Sequence, residues 1–192
     1  MYKTFFKYFI DFSVSLTGLI CISPVFIFVT ICLFIANSGK PFFFQMRPGK
    51  NATIFKLIKF KTMNDKRDEN GDLLPDVERL TKIGKFVRKT SLDEIPQLIN
   101  VLKGDMSLVG PRPERRYYID QIVKISPQYK LLLRVKPGVT SWGEVKYGYA
   151  SSVEQMIERM AFDLQYIDNM SLSNDLKILL YTVATVLRGE GK

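Results

Sequence analysis

The chain contains no histidine, so the side chain most often used as a general base near neutral pH is missing. Histidine-based triads and imidazole metal sites are excluded, and any chemistry must run on carboxylates, cations, hydroxyls or a bound metal. Cysteine is scarce: Cys21 and Cys32 are the whole supply. Both fall inside an apolar run, where they read as small buried hydrophobes and not as a disulfide or metal pair. This fits a reducing, cytosolic location for the rest of the chain. No internal repeat, low-complexity tract or nucleic-acid-binding motif is evident.

Charge is missing from one long stretch, Phe12 to Gly39. As a continuous helix this stretch would extend roughly 42 Å, more than the ~30 Å hydrocarbon core of a bilayer. The apolar region of a signal peptide is shorter and ends at a small-residue cleavage site, so the segment is expected to stay as a membrane anchor. Lys3 and Lys7 precede it; Lys40, Arg47, Lys50, Lys56, Lys59 and Lys61 follow it. Positive flanks favour the cytoplasmic side. A helix that breaks at Ser23-Pro24 and turns back would leave both flanks there, whereas proline also permits an ordinary kinked transmembrane helix. The net charge of +9 implies an anionic partner: lipid headgroups, nucleotide phosphates or nucleic acid.

Beyond this segment, Phe42–Arg47 and Thr53–Met63 read as strands joined by a Pro48-Gly49 turn. Lys59 and Lys61 share one strand face, either simply solvated or turned toward a phosphate. Residues 64–79 read as a polar surface loop. Helices are expected over about Glu78–Lys89, Leu92–Leu102, Glu114–Ser126, Pro127–Val135, Val153–Asn169 and Leu176–Leu187, the last after Ser171/Ser173 caps. Val139 to Ala150 reads as irregular or short-stranded. The fold class is therefore α+β but mainly helical: a membrane helix segment over 1–39, one small β-hairpin, and a helical domain, with 40–192 forming one integrated unit.

The densest chemistry lies in RKTSLDEIPQLINVLKGDMSLVGPRP, Arg88 to Pro113. Asp93 and Glu94 stand between a basic cluster (Lys85, Arg88, Lys89) and Arg112, which has proline on both sides. Ser91 and Glu94 have capping-box spacing, and helix capping alone could account for the acids. A helix N-terminus also suits phosphate. Flanking prolines limit the backbone that carries a planar, permanently charged guanidinium. Carboxylate and phosphate oxygens together suit Mg²⁺. Asp163, at helical spacing from Tyr166, reads equally as a site residue or a surface pair.

KFKTM (Lys59–Met63), SLDEIPQLINVLKGDMSLVGPRP (Ser91–Pro113), KPGVT (Lys136–Thr140) and DLQYIDNMS (Asp163–Ser171) together resemble the bacterial sugar transferase family, in order and along nearly the whole chain. Its members are monotopic phosphoglycosyl transferases with a re-entrant membrane helix, which the Ser23-Pro24 break matches. The resemblance implies transfer of a sugar-1-phosphate from a UDP-sugar to undecaprenyl (polyprenol) phosphate in two steps, at the cytosolic face of the bacterial inner membrane, opening glycoconjugate assembly. In that reading Asp93 attacks the sugar-bearing phosphate and releases UMP, and Glu94 binds Mg²⁺. Arg88, Arg112 and Lys59 bind phosphate, with Asp163 a further active-site candidate. The chain departs from the family where Arg-Pro-Gly, Thr-Gly and Gln-Val pairs are usual: it has Lys136-Pro137-Gly138, Thr140-Ser141 and Glu144-Val145. It also resembles the minimal, catalytic-only members. The expected partners are a UDP-sugar, undecaprenyl phosphate and membrane lipids, without nucleic acid; a homodimer stays open. The competing reading is a membrane-tethered basic binding or scaffold module for anionic lipid or nucleic acid.

Overall fold

The computed structural model describes residues 2–188; Met1 and residues 189–192, the outer ends of the two expected segments, lie outside the described residues. Helix α1 spans Lys7–Ala36, preceded by a π-helical turn at Tyr2–Phe6. It is long and apolar enough to cross a membrane. The helix is continuous through Ser23-Pro24, so the expected turned-back hairpin does not appear as a break in the backbone. Proline removes one donor, and the Ser23 hydroxyl takes up a carbonyl of the preceding turn, that of Ile20, at 2.8 Å.

The buried positions of α1 (Lys7, Asp11, Ser15, Val29 and Leu33) recur at helical spacing, so one stripe faces protein while Phe9, Ile20, Phe28 and Ile35 are exposed on the rest. At the N-terminal end this stripe is polar. Asp11 accepts the Ser107 hydroxyl at 2.6 Å and the Leu108 N–H at 3.2 Å. Lys7 donates to Asp175 at 2.5 Å, and Asp175 also accepts the hydroxyls of Tyr2 and Tyr166, each at 2.6 Å. At the other end Val29 and Leu33 form an apolar cluster with Phe60 and Val87, joined by Phe26, Phe42 and Leu92. Each fully buried side chain of this size contributes about 1.5–3 kcal/mol.

Strands β1 (Phe42–Pro48) and β2 (Ile54–Phe60) form the expected antiparallel hairpin. The fold has a second strand pair that the sequence reading lacks: β3 (Ser107–Val109) runs parallel to β4 (Gly138–Thr140). Each is three residues long, too short for alternation to be visible. The 64–79 loop ends in a helical turn, α2 (Asp76–Arg79), and the helix expected from Glu78 starts later, as α3 (Lys82–Lys89), where Thr81 caps the Gly84 N–H at 2.9 Å.

Helix α4 (Gln97–Leu102) precedes β3, and α5 (Arg116–Ile125) follows it. Pro127–Arg134 is 3₁₀-helical. The region expected to be irregular or short-stranded begins in β4 but also contains a helix, α6 (Trp142–Tyr147), and two further helices follow, α7 (Val153–Asp168) and α8 (Leu172–Arg188). A main core joins Ile119 and Ile122 of α5, Tyr129 and Leu132 of the 3₁₀ helix, and Met156 and Met160 of α7.

Candidate active site

The acid pair lies where one helix ends and the next begins. Ser91 takes φ 54° and ψ 16°, and its N–H reaches the Arg88 carbonyl at 3.0 Å. A left-handed residue just past the last turn is a common helix stop, and on a non-glycine residue it costs of order 1 kcal/mol or more. Ser91 thus terminates α3. The expected Ser91–Glu94 capping box is absent, since the Ser91 side chain makes no capping bond. The helix expected from Leu92 begins instead as a 3₁₀ turn, Leu92–Glu94, and becomes α-helical only at Gln97. Leu92 packs into the apolar cluster shared by α1 and β2, which mounts the acid pair on the apolar helix.

Asp93 is 4% exposed. Glu94 Oε1 accepts from Lys59 Nζ at 2.6 Å. The basic strand face is not simply solvated: Lys59 and Lys61 are both half-buried, Lys59 against Glu94 and Lys61 bonded to Asp65 at 2.5 Å. Asn100 sets the position of β2. Completely buried, it accepts the Ile58 N–H at 3.0 Å and donates to the Lys56 carbonyl at 2.8 Å. It serves the strand edge as a neighbouring strand would, and clips α4 to it. Arg88 Nε donates to Thr62 Oγ1 at 2.9 Å, so three parts of the site meet here: the end of the KFKTM motif, α3 and the acid turn.

Arg112 follows β3 in the Gly110–Pro113 loop, and its guanidinium is ion-paired with Glu144. Its Nε lies 3.8 Å from Glu114. Glu114 is buried, accepts from Arg159 at 2.5 Å and faces Arg47 at 3.8 Å. Burial works to lower the pKa of Arg112, but the carboxylates of Glu144, Glu94 and Glu114 outweigh it and hold the group above the ordinary arginine value. Arg47 is pulled down to about 10, chiefly by burial.

Asp163 lies behind the site, not at its surface. It is 2% exposed and accepts the Gly143 N–H at 2.9 Å. Burial pushes its carboxyl up to about 7, against the opposing effects of that N–H and of Arg159. Tyr166 is buried as well, so the surface-pair reading fails. Asp163 holds α6 against α7, and α6 carries Glu144.

A cavity of about 320 Å³ opens between these elements, with Ser91, Glu94, Thr140, Glu144, Tyr149 and Thr182 in its wall. Asp93 sits between two lining residues of the acid turn. A second cavity, about 290 Å³, lies among Trp142, Gln165, Asn169, Asn174 and Lys177 and has no acid in its lining. Glu94 and Glu144 line the first cavity, Glu94 bonded to Lys59 and Glu144 to Arg112, whereas Asp93, Arg88 and Thr62 are not among its lining residues. Acids beside fixed cations suit phosphoryl transfer, in which a carboxylate attacks and positive groups neutralise phosphate oxygens. Among the described residues no three acids or cysteines converge as a protein-only metal cage. Glu94 in the cavity wall nevertheless fits Mg²⁺, which is commonly held by one or two carboxylates together with phosphate oxygens and water.

Glu114, Arg47, Arg159 and Asn100 escaped the sequence reading. Arg159 is 45 residues from Glu114, and Asn100 reads locally as an ordinary polar residue in a short helix.

The profile of the family described as bacterial sugar transferase matches residues 2–189. The chain is 47% identical over 174 residues to a Bacillus subtilis (strain 168) protein named "Uncharacterized sugar transferase EpsL", covering 90% of this chain and 83% of that one. It is 35% identical over 189 residues to the UDP-N-acetylgalactosamine-undecaprenyl-phosphate N-acetylgalactosaminephosphotransferase of Aeromonas hydrophila, covering 97% of this chain and 45% of that one. To the UDP-glucose:undecaprenyl-phosphate glucose-1-phosphate transferase of Escherichia coli (strain K12) it is 39% identical over 179 residues, covering 90% and 38%. The chain thus spans most of one of these relatives and less than half the length of the other two. Its membrane-length helix, its acid turn flanked by cations, and a family match running through both place it in one group: the chain belongs to the bacterial sugar transferase family.

Proposed function

We propose that this protein transfers a sugar-1-phosphate from a UDP-sugar to undecaprenyl phosphate, a first membrane step of bacterial polysaccharide or glycoconjugate assembly. One observation carries the reading. The Leu92–Glu94 turn puts Glu94 in a cavity wall, bonded to Lys59 and within electrostatic reach of Arg112, with Asp93 beside it in the chain, while Leu92 packs on the apolar helix. A water-soluble nucleotide and a lipid-bound acceptor both need access to such a site.

In the mechanism we infer, an Asp93 carboxylate oxygen attacks the sugar-bearing phosphorus. The bond to the bridging oxygen breaks, and UMP leaves with that electron pair. A phosphate oxygen of the polyprenol then attacks the Asp93-bound phosphorus, the Asp93–phosphorus bond breaks, and polyprenyl diphosphosugar departs with Asp93 restored. The attacking groups are already anions, so the absence of histidine is no obstacle. Lys59, Arg88 and Arg112 steady the phosphates. Glu94 would hold Mg²⁺, which when bound neutralises charge on phosphate oxygens. Asp163 supports this site by positioning α6.

We further propose that α1 is re-entrant, with residues 1–39 as the membrane segment and 40–192 as the catalytic domain on the cytosolic face of the inner membrane, working as one unit. The support is that the Lys7 end and the Leu33 end of α1 are both fastened to the same folded body.

The test is UMP release from a panel of UDP-sugars by the detergent-solubilised chain with undecaprenyl phosphate and Mg²⁺. One UDP-sugar should turn over, and Asp93→Asn should lower turnover by roughly a thousandfold or more, as removal of a nucleophile does. Full transfer by that variant would exclude Asp93 as nucleophile. Absence of UMP release with every sugar would favour a binding module.

A further inference from the structure

Three acids surround Arg112, and they differ in how firmly they are held. Glu114 is buried beneath Arg159 and Arg47, so moving it would strand two more guanidinium groups. Glu94 is bonded to Lys59. Glu144 pairs with Arg112 at the cavity surface, where the guanidinium side chain is 19% exposed and the carboxylate 26% exposed. Its backbone is fixed: its N–H bonds Ser141 Oγ at 2.9 Å, and the neighbouring Gly143 N–H bonds Asp163 at 2.9 Å.

We propose that Glu144 is an internal counter-ion that occupies Arg112 until a substrate phosphate displaces it, and that it thereby sets the affinity of the site for UDP-sugars. This deepens the reading above and rests on it. A diphosphate reaching Arg112 must take over a donor already used by a carboxylate, and it brings like charge beside that carboxylate. Both effects weaken binding relative to a site with an unoccupied arginine. Glu144 is an affinity-setting residue here, and no bond of it changes in the reaction.

The experiment is calorimetric binding of UDP to the full chain in lipid nanodiscs, in an Asp93→Asn background that stops chemistry. Glutamine keeps the shape of Glu144 and is favoured at the same helix position. Glu144→Gln should tighten UDP binding about tenfold, equivalent to ~1.4 kcal/mol. In an Arg112→Gln background the same change should tighten binding much less, because the arginine in contention is gone and the like-charge effect alone is left. In the otherwise native enzyme Glu144→Gln should lower KM for the UDP-sugar without raising kcat.

UDP binding no tighter than in the parent would overturn the proposal. So would equal tightening without Arg112, which would mean general repulsion, or a collapse of thermal stability in Glu144→Gln, which would mark the pair as structural. Failure of the Asp93→Asn parent to bind UDP at all would overturn the reading of the site itself, and the proposal with it.

Discussion

A single carboxylate, Glu114, sits against three guanidinium groups, those of Arg159, Arg47 and Arg112, and so helps hold Arg112 against Glu144 in the cavity wall. Asp163 plays the matching part for α6. Its carboxyl is held near 7 by burial, against an ordinary value of 3.8, so between those pH values the folded state keeps a proton that the unfolded state has lost. Stability from this group is fullest below about pH 4 and declines as pH rises to about 7. Asp163→Asn removes that titration while retaining an acceptor for Gly143. The melting temperature of the wild type relative to this variant should therefore fall by a few degrees from pH 4 to pH 8, measured by differential scanning fluorimetry in detergent. A pH-independent difference would show that Asp163 stays ionised when buried. Sequence pattern singled out Asp163 but misjudged its setting, because helical spacing to Tyr166 says which residues share a face and not what covers that face. Glu114 offered no signal of its own: its partners arrive from β1 and α7, far away along the chain.

Among the elements, α6 is a helix of 6 residues with a decisive position. Glycine at 143 lets it lie against α7: a Cβ there would stand 2.7 Å from Arg159 Cγ and 2.9 Å from Asp163 Oδ2. Gly143→Ala should cost about 1–3 kcal/mol, as overpacking does, read as a lower melting temperature. An unchanged melting temperature would show that the α6–α7 contact yields freely. The long apolar run, the β-hairpin and the two C-terminal helices were legible because periodicity and turn residues extend over enough positions to be counted. Spacing at Ser91–Glu94 points to a capped helix start, where the structure has a 3₁₀ turn at Leu92–Glu94 and the α-helix begins at Gln97. Ser91 satisfied the spacing of a cap, yet its backbone had already been committed to ending α3. Glu144-Val145 stood out only as a departure from the family pattern, and its pairing with Arg112 across 32 residues was beyond any local pattern.

For the molecule as a whole, the arrangement of α1 leads to a prediction about topology. Single cysteines at Tyr2 and Lys40, in a background with Cys21 and Cys32 replaced by serine, should both react with an impermeant maleimide from the cytoplasmic face of membrane vesicles. Reaction from opposite faces would show that α1 crosses the bilayer. The two ends of the helix differ in kind, apolar around Leu33 and ionic around Lys7. The difference matters during synthesis. The apolar end finds Phe60 and Val87 within a few dozen residues, but the Asp175 that receives Lys7 is made 168 residues later. Until then the nascent helix carries an ammonium group without its final partner, while the Asp11 carboxylate waits only for Ser107 and Leu108, and a charge cannot enter an apolar setting cheaply. Final seating of the first helix therefore waits on the last one, and translation order makes the Lys7–Asp175 bond a late step in the chain's maturation.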